Sequence, residues 1–440
     1  MSSAGGVALA PRRGPIGVVR AWSRATFSSL RQRNYRLFFI GQGISLAGTW
    51  MQGVGQSWLV IQLTNSGYAL GIAVALQFLP VLFLAPYGGV LADRFSKRRL
   101  LFITQSSAAA LALTLGTLVA TGVIRVWMVY VLAFLLGVVN SIDNPTRQTF
   151  VHELVGKETL RNAVTLNSLE VNLSRVIGPA IAGLLIASVG IAWCFFLNGI
   201  SYFAVLSCLW LMTGSELHRS ARVKAAKGQI REGFAYVRGN PLIFDVVLMM
   251  AIVGTLTYEF QVTLPLLAKF TFHGNAFFYA ALTSATGVGA VIGGLFTAGR
   301  RTASVKGLTL AAVGFGVTML AVSFAPTMII AVLGMVLVGV FSIAFTSLTN
   351  TILQIESAPA MRGRVMSLWS MAFLGSTLIG APLIGWIASQ AGPRWGIAVG
   401  GLAALAAAGV GVYALREGRH TTMPEEQIEA PEMTEKEDRA

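Results

Sequence analysis

The stretch GGVLADRFSKRRLL, residues 88–101, places one acid among four basic residues between two long apolar runs. Runs of about 20 apolar residues, at about 1.5 Å of rise per residue, can cross the roughly 30 Å hydrocarbon layer of a membrane as helices. A basic loop between two such helices is typical of the cytoplasmic side. Anchoring by positive charge explains Lys97, Arg98 and Arg99, but it does not explain the acid, Asp93.

The composition indicates an integral membrane protein. Of the 440 residues, 55% are hydrophobic and only 12% are charged, and the mean hydropathy is +0.68. We predict an all-α integral membrane fold with twelve transmembrane helices, near 36–62, 69–92, 100–121, 126–146, 163–189, 193–213, 242–268, 276–299, 307–325, 327–354, 365–390 and 395–415.

The basic residues predict the orientation of these helices. All but four of the 33 Lys and Arg residues fall in the N-terminal segment, in alternate loops or in the tail. Of the four exceptions, Arg125, Lys269 and Arg394 lie in the other loops, and Arg175 lies inside a helix. The positive-inside rule therefore predicts that both termini are cytoplasmic. The net charge of +15 then reflects contact with membrane lipid, and we expect no nucleic-acid partner.

A long polar segment divides the predicted helices into six and six. We expect a basic cytoplasmic segment at 1–35, a six-helix bundle at 36–213, a linker at 214–241, a second six-helix bundle at 242–416 and an acidic, disordered tail at 417–440. In the linker, Ile230, Phe234 and Val237 share one face of a short amphipathic helix.

Six identities at one offset of 202 residues favour a duplicated six-helix unit, an architecture typical of transporters. Gly137, Ser174, Gly178, Gly183, Gly190 and Trp193 recur as Gly339, Ser376, Gly380, Gly385, Gly392 and Trp395.

The loop at residues 88–101 resembles the signature of the major facilitator superfamily, G-x-L-A-D-R-x-G-R-K-x-x-L, with Ser96 in place of the usual glycine. The resemblance implies a cytoplasmic gate motif of Gly89, Asp93, Arg94, Lys97 and Arg98. In this interpretation Asp93 holds the two halves together when the cavity opens outward, with the start of the eleventh helix, near Arg362 and Arg364, as its partner. Glycines 88 and 89 would let the second helix approach a neighbour closely.

The fifth predicted helix contains a second pattern, in LEVNLSRVIGPAIAG, residues 169–183. Ser174, Gly178, Pro179, Ala182 and Gly183 resemble the G-x-x-x-G-P-x-x-G-G motif of exporters in this superfamily. Because proline removes a backbone hydrogen bond and small residues allow close packing, Gly178, Pro179 and Gly183 would form a hinge. Ordinary small-residue helix packing is the alternative.

Further stretches, among them RNYRLFFIGQGISLAGTWMQ at 33–52 and DNPTRQTFV at 143–151, resemble the bacterial branch that contains the enterobactin exporter and related multidrug efflux carriers. The resemblance implies a monomeric, multi-pass protein of the bacterial inner or plasma membrane. It would export small amphipathic molecules, siderophore-like or drug-like, by proton antiport and alternating access. A facilitator or uptake carrier of the same fold is one alternative, and a polytopic membrane enzyme is a remote one. We expect no catalytic activity, no cofactor beyond the proton gradient and no metal site.

Charged residues inside membrane helices usually face a partner or a wet cavity, because an unpaired charge there costs roughly 2.5–3.5 kcal/mol. Arg175 lies about 7.5 Å deeper along its helix than Glu170. Asp143, on the antiparallel fourth helix, is expected near the depth of Glu170. We therefore predict a charge network in which Arg175 is the fixed cation and Asp143 or Glu170 its switchable partner, or else a structural ion pair.

Glu259, in TLTYEFQVTLP, is the remaining candidate for proton coupling or for recognition of cationic substrates, with a satisfied polar residue as the alternative. Asp245 lies near the predicted inner boundary, where we expect it to contact solvent. Polar and aromatic residues in other helices are candidates for lining the substrate cavity: Trp50, Gln52, Gln77, Asn140, Tyr258 and Gln261.

Overall fold

The computed structural model describes residues 28–156, 159–214, 229–298 and 303–419, and within these ranges the chain is helical with no β-strand. The first half contains α1 (Arg33–Thr64), α2 (Gly67–Arg94), α3 (Lys97–Ala120), α4 (Val126–Leu154), α5 (Leu160–Ser188) and α6 (Ala192–Leu211). The second half contains α7 (Gln229–Gly239), α8 (Pro241–Leu256), α9 (Phe260–Leu266), α10 (Ala276–Ala298), α11 (Val305–Ser323), α12 (Met328–Glu356), α13 (Arg362–Ser370), α14 (Thr377–Ala391) and α15 (Pro393–Arg416). Most of the predicted segment 1–35 and nearly all of the predicted tail 417–440 lie outside the described residues.

Eleven helical spans of the described residues are long and apolar enough to cross a membrane. Helix α1 is not among them, although its 32 residues make it the longest helix of that part of the chain. Buried polar side chains, among them Gln42, Gln52 and Gln56, lower the hydropathy of α1. The structure therefore supports a multi-pass helical membrane protein with eleven such spans.

Two of the spans are interrupted, where the sequence predicts continuous helices. The first runs Pro241–Thr271, with a break between α8 and α9 and a π-helical turn at Leu267–Thr271. At the break, Thr257 Oγ1 donates a hydrogen bond to the Gly400 carbonyl at 2.8 Å, and Tyr258 Oη donates one to the Ser342 carbonyl at 2.7 Å. Bonds of this kind to neighbouring helices stabilise an irregular backbone inside a membrane.

The second interrupted span runs Arg362–Ala391, and a π-helical turn at Met371–Gly375 joins α13 to α14. This turn packs against α8. A Cβ atom at Gly254 of α8 would overlap the Ala372 carbonyl of the turn, so the two irregular spans lie in close backbone contact.

The helices pack as two groups. In the first half α1 packs on α5 and α6, and α2 packs on α4. In the second half α10 packs on α12, and α11 packs on α15. The two halves meet mainly through two pairs of helices, α2 with α14 and α5 with α10.

Glycines at matched positions of the two halves make matched contacts. A Cβ atom at Gly137 of α4 would overlap the Gln77 carbonyl of α2. A Cβ atom at Gly339 of α12 would overlap the Thr286 carbonyl of α10. These two glycines are a pair in the 202-residue repeat, so the repeat extends to how the helices pack.

The two ends of the bundle differ. The basic end, as we call it, carries Lys97, Arg98 and the start of α5 in the first half, and α7 with the start of α13 in the second. At the opposite end, which we call the closed end, the start of α2 contacts the end of α14. A Cβ atom at Gly67 would lie 2.8 Å from the Gly385 carbonyl, and one at Gly71 would overlap the Ala381 carbonyl.

Helix α7 occupies the predicted linker and packs one side against α13. Gly233 and Val237 are buried, and Gly233 packs against Arg364 and Leu368 of α13. Gly233 lacks a side chain, so α13 can approach this side of α7 closely. Phe234 is 48% exposed, which leaves it accessible to lipid, and the placement of this helix on the membrane surface stays a prediction.

Candidate functional site

Hydrogen bonds between the halves hold the closed end together. Lys269 Nζ, in the π-helical turn after α9, donates to Asn65 Oδ1 at 2.7 Å and to the Ile61 carbonyl at 3.2 Å. Asn65 ends α1 with a φ of 50°. The Tyr68 backbone N–H also donates to Ser389 Oγ at 3.1 Å. A cation at the C-terminal end of a helix is favourable, so Lys269 binds the end of α1 across the interface.

A cavity of about 130 Å³ lies beside α1 and α2. It is lined by Thr49, Trp50, Gln52, Gly53, Gln56, Ser57, Leu70, Ala73, Val74, Gln77, Leu136, Asn198, Tyr202 and Gln261. The lining carries amide and hydroxyl groups and contains no Asp, Glu, Lys or Arg. Of the predicted cavity residues, Trp50, Gln52, Gln77 and Gln261 contact this space. Asn140 and Tyr258 do not line it.

Amide side chains of the cavity bind one another. Asn198 Nδ2 donates to Gln52 Oε1 at 2.7 Å, and Gln56 Nε2 donates to Gln77 Oε1 at 3.4 Å. The sequence analysis missed Gln56, Asn198 and Tyr202. A signal was available for Gln56, which follows Gln52 by four residues and so lies on the same face of α1.

Tyr258 lies outside the cavity, in an aromatic cluster. Its ring contacts Phe260, Phe315 and Phe373 edge-on, with ring centroids 5.1–6.0 Å apart. Its hydroxyl binds the Ser342 carbonyl, so the residue fixes the break between α8 and α9.

Two basic residues of the predicted gate motif bind neighbouring helices, and the remaining residues of the motif form no such bond within the described part of the chain. Lys97 Nζ forms a buried ion pair with Glu153 Oε1 at 2.6 Å, and Arg98 donates to the Trp210 carbonyl at 3.1 Å. Asp93 and Arg94 are exposed. No atom outside its own helix lies within 4 Å of a Cβ atom built at Gly89, so the close approach predicted for Gly89 is wrong.

The neighbouring glycine makes the close approach instead. A Cβ atom at Gly88 would overlap the Ser141 carbonyl of α4. Arg364, one predicted partner of Asp93, forms an ion pair with Glu232 of α7 at 2.6 Å. The pairing of Asp93 with the start of α13 stays a prediction for another conformation.

The predicted hinge residues lie in the interior of α5, which is helical from Leu160 to Ser188 with Pro179 inside it. A Cβ atom at Gly178 would lie 2.5 Å from the Ala47 carbonyl of α1, and one at Gly183 would lie 2.6 Å from Ala280 Cβ of α10. The two glycines thus let α5 contact a helix of each half. Bending at Pro179 stays a prediction.

Asp143 has partners other than the predicted one. Its Oδ1 accepts hydrogen bonds from Thr104 Oγ1 at 2.6 Å and from Gln105 Nε2 at 2.9 Å. Its Oδ2 lies 4.0 Å from Arg147 Nε, one turn along α4. The predicted pairing of Asp143 with Arg175 is therefore wrong in this conformation.

Glu170 and Arg175 are separated around α5. Five residues correspond to about 140° of rotation, so the two side chains leave the helix in different directions. A Cβ atom at Gly43 of α1 would lie 2.9 Å from Glu170 Oε1, whereas the Arg175 guanidinium lies over the Trp50 ring, 5.0 Å from its centroid. The structure contains no ion pair between Glu170 and Arg175 within its described residues. The predicted pairing of these two residues is therefore wrong in this conformation as well.

Glu259 is 2% exposed and lies at the break between α8 and α9. Thr377, at the start of α14, lies near its side chain. A Cβ atom at Gly380 would lie 2.8 Å from Glu259 Oε1, an oxygen that has no hydrogen-bond partner. The carboxyl group is thus enclosed between two interrupted spans.

Asp245, expected to contact solvent, is only 5% exposed. Arg419 Nη1 binds its Oδ2 at 2.6 Å, and this hydrogen bond raises the pKa of Arg419. The segment after α15 folds back onto α8, which the sequence pattern does not indicate. The described residues contain no group of three or more His, Cys, Asp or Glu side chains that could hold a metal ion.

Sequence comparison identifies relatives of this chain. The profile of the family described as transmembrane secretion effectors matches residues 24–439. The enterobactin exporter EntS of Escherichia coli strain K12 is 25% identical over 401 residues, which cover 90% of this chain and 95% of that protein. A staphyloferrin A transporter of Staphylococcus aureus is 28% identical over 261 residues, which cover 58% of this chain and 65% of that protein.

Solved structures show the same fold. A bacterial homolog of the human lysosomal transporter Spinster, in an inward-facing and occupied conformation, has a TM-score of 0.66 at 15% identity. The similarity covers 88% of this chain and 97% of the other. A POT family transporter in complex with a thioalcohol-conjugated peptide has a TM-score of 0.68 at 11% identity, covering 89% and 99%.

The predicted resemblance to the superfamily, and to the branch with the enterobactin exporter, is confirmed. The apolar spans and the bacterial relatives make this a multi-pass transporter of the inner membrane. The chain belongs to the transmembrane secretion effector family of the major facilitator superfamily.

Proposed function

We propose that this chain is a secondary-active exporter of small amphipathic molecules, siderophore-like or drug-like, that works by proton antiport and alternating access. Its similarity to an enterobactin exporter supports the outward direction and the substrate class. A cavity lined by amide groups and Trp50 suits a molecule with both polar and apolar parts.

The arrangement of the chain in the membrane is part of the proposal. Twelve transmembrane helices, counting α1, form two six-helix repeats at 36–213 and 242–416, with both termini cytoplasmic. The basic end then faces the cytoplasm, and the closed end faces outward. In this arrangement Lys269 holds the outer side shut, and the protein works as a monomer in contact with lipid.

The observation that carries proton coupling is the position of Glu259. Its carboxyl group is buried at an irregular point of the membrane interior, near Thr377, and its Oε1 has no hydrogen-bond partner. A carboxylate in such a site is costly unless it is neutralised, and proton uptake neutralises it. Movement of α14 relative to the break would expose the group to water and release the proton.

The experiment that tests this proposal measures transport in everted membrane vesicles with an imposed pH gradient, using a panel of fluorescent amphipathic compounds. We expect the wild-type chain to accumulate part of the panel only when the gradient is present. The Glu259→Gln variant should lose gradient-driven accumulation, because an amide does not titrate and so cannot carry a proton across. It should retain exchange of labelled for unlabelled compound. Glu417→Gln, at an exposed acid, is the matched control.

Two results would contradict the proposal. Equal transport in both directions with no effect of the gradient would identify a facilitator. Full dependence on the gradient in the Glu259→Gln variant would remove Glu259 from the coupling mechanism.

A further inference from the structure

Arg175 lies near the middle of α5, where the two halves of the molecule meet. The Ser284 hydroxyl of α10 donates a hydrogen bond to the Val176 carbonyl at 3.0 Å. A Cβ atom at Gly287 of α10 would lie 3.0 Å from the Arg175 carbonyl. In transporters built from repeats, substrate sites lie at this level, between the repeats.

The positive charge of Arg175 is not taken up by a neighbouring carboxylate. The acids that form ion pairs in the described part of the chain bind other cations: Asp143 binds Arg147, Glu153 binds Lys97, Glu232 binds Arg364 and Asp245 binds Arg419. Glu170 contacts α1 at Gly43, seven residues before Trp50, which is about 10 Å along a helix.

The contact of Arg175 with the Trp50 ring leaves the guanidinium N–H groups free to bind a ligand. The guanidinium carbon lies over the Trp50 ring, and Nε has no hydrogen-bond partner. An arginine held over an aromatic face keeps the N–H groups of its edge, which bind planar oxyanions with two parallel hydrogen bonds. A buried donor without a partner is costly, so a ligand that satisfies it gains affinity.

The surroundings favour an anion over a cation. Trp50 also lines the 130 Å³ cavity, whose other lining side chains carry no formal charge. Arg175 is not itself a lining residue, but its guanidinium over the Trp50 ring places a positive charge beside this neutral lining. The paired amides of Gln52, Gln56, Gln77 and Asn198 can bind polar groups but do not neutralise a cation.

We propose that Arg175, held over Trp50, binds an anionic oxygen group of the transported molecule, so that the substrates of this chain are amphipathic organic anions such as aromatic carboxylates. This inference rests on the proposed transport function and narrows its substrate class. It also gives the cation of α5 a role that does not depend on Asp143 or Glu170.

The test is equilibrium binding to the purified full chain in lipid nanodiscs, with three probes of one shape: 2-naphthoate, its neutral amide and the cation 2-naphthylmethylammonium. The wild-type chain should bind the carboxylate roughly 10- to 100-fold more tightly than the amide, the effect of a charge-assisted hydrogen-bond pair. The Arg175→Gln variant should bind both equally. The Arg175→Lys variant should keep only part of the preference, because an ammonium group does not bind a carboxylate in the same bidentate way.

Arg161→Gln, which removes an exposed arginine from the same helix, should keep the full preference. Size-exclusion profiles and wild-type affinity for the neutral amide establish that a variant is folded. An unchanged carboxylate preference in folded Arg175→Gln, or no preference in the wild-type chain, would overturn the inference. The nanodisc binding assay needs no pH gradient. If the chain binds the carboxylate preferentially but the vesicles show no transport, the proposed transport function is wrong and the anion site is not. Transport restricted to cations would count against the anion site alone.

Discussion

Lys97 and Glu153 form the most enclosed ion pair that we describe in this chain, with side-chain exposures of 9% and 12%. The pair joins the start of α3 to the end of α4 at the basic end. Removing two charges from water costs free energy. The attraction between Lys97 and Glu153, at 2.6 Å, offsets this cost only while both partners are present. Its contribution is therefore best measured by removing one partner and then both.

We predict that Lys97→Met destabilises the folded chain by roughly 3 kcal/mol, because Glu153 is left buried and unpaired. The double variant Lys97→Met with Glu153→Leu should recover more than half of the loss. Thermal unfolding in detergent micelles measures both, and Arg99→Met, at an exposed basic residue of the same helix, should change little. A single variant as stable as Arg99→Met would show that the pair has no structural role.

At the level of single residues, the sequence predicts which charges are unusual better than it predicts their partners. The sequence singled out Arg175 and three acids that are buried, Asp143, Glu170 and Glu259, because charges inside apolar helices are rare. It did not single out Glu153, and it predicted solvent contact for Asp245, although both are buried. It could not pair the charges correctly, since partners are fixed by rotation around a helix as well as by depth. Asp143 contacts Thr104, Gln105 and Arg147, and the Arg175 guanidinium lies over the Trp50 ring.

At the scale of helices, backbone contacts at glycine decide how closely neighbours pack. On α10, a Cβ atom at Gly289 would overlap the Val336 carbonyl of α12, whereas one at Gly294, on the same helix, meets no atom within 4 Å. The two positions thus form a matched pair for testing close packing.

We predict that Gly289→Ala destabilises the chain by about 1–3 kcal/mol, because the added methyl group forces α10 and α12 apart. Gly294→Ala should be neutral or slightly stabilising, since alanine favours the helix. Unfolding temperatures of the two variants, measured side by side in detergent, test this expectation. Equal stability of the two would contradict the close contact.

Helices themselves were largely predictable, and their interruptions were not. Apolar runs locate a helix because the membrane excludes unpaired backbone groups. The break between α8 and α9 depends on carbonyls of Gly400 and Ser342, far along the chain, that accept bonds from Thr257 and Tyr258. No local sequence pattern predicts hydrogen-bond partners that lie so far along the chain.

At the scale of the whole molecule, the distribution of basic residues predicts which end faces the cytoplasm. The closed end includes the loop with Val123, which is 53% exposed, and the basic end includes the exposed Arg99. Single cysteines at these two positions, in a chain without Cys194 and Cys208, report the sidedness directly.

We predict that a membrane-impermeant maleimide labels Val123→Cys in intact cells and labels Arg99→Cys only in everted vesicles. Labelling in denaturant gives the total reactive cysteine for each. The opposite pattern would reverse the orientation and, with it, the proposed direction of export.

The overall architecture followed from the sequence more securely than the site did. Hydropathy, charge asymmetry and the loop at residues 88–101 are properties of many residues acting together, so errors at single positions do not alter the result. The cavity depends on which side chains of five helices converge, and no sequence pattern predicts that Asn198 and Tyr202 of α6 lie beside Gln52.

The paired amides of the cavity have a consequence for turnover. In the proposed exchange cycle the carrier changes state once with cargo and once with a proton instead, and polar groups without partners would make the second change costly. Gln52 binds Asn198 and Gln56 binds Gln77, so these four amides satisfy one another within the protein. Cargo that binds the amides must first break these bonds, which lowers its affinity and speeds its release.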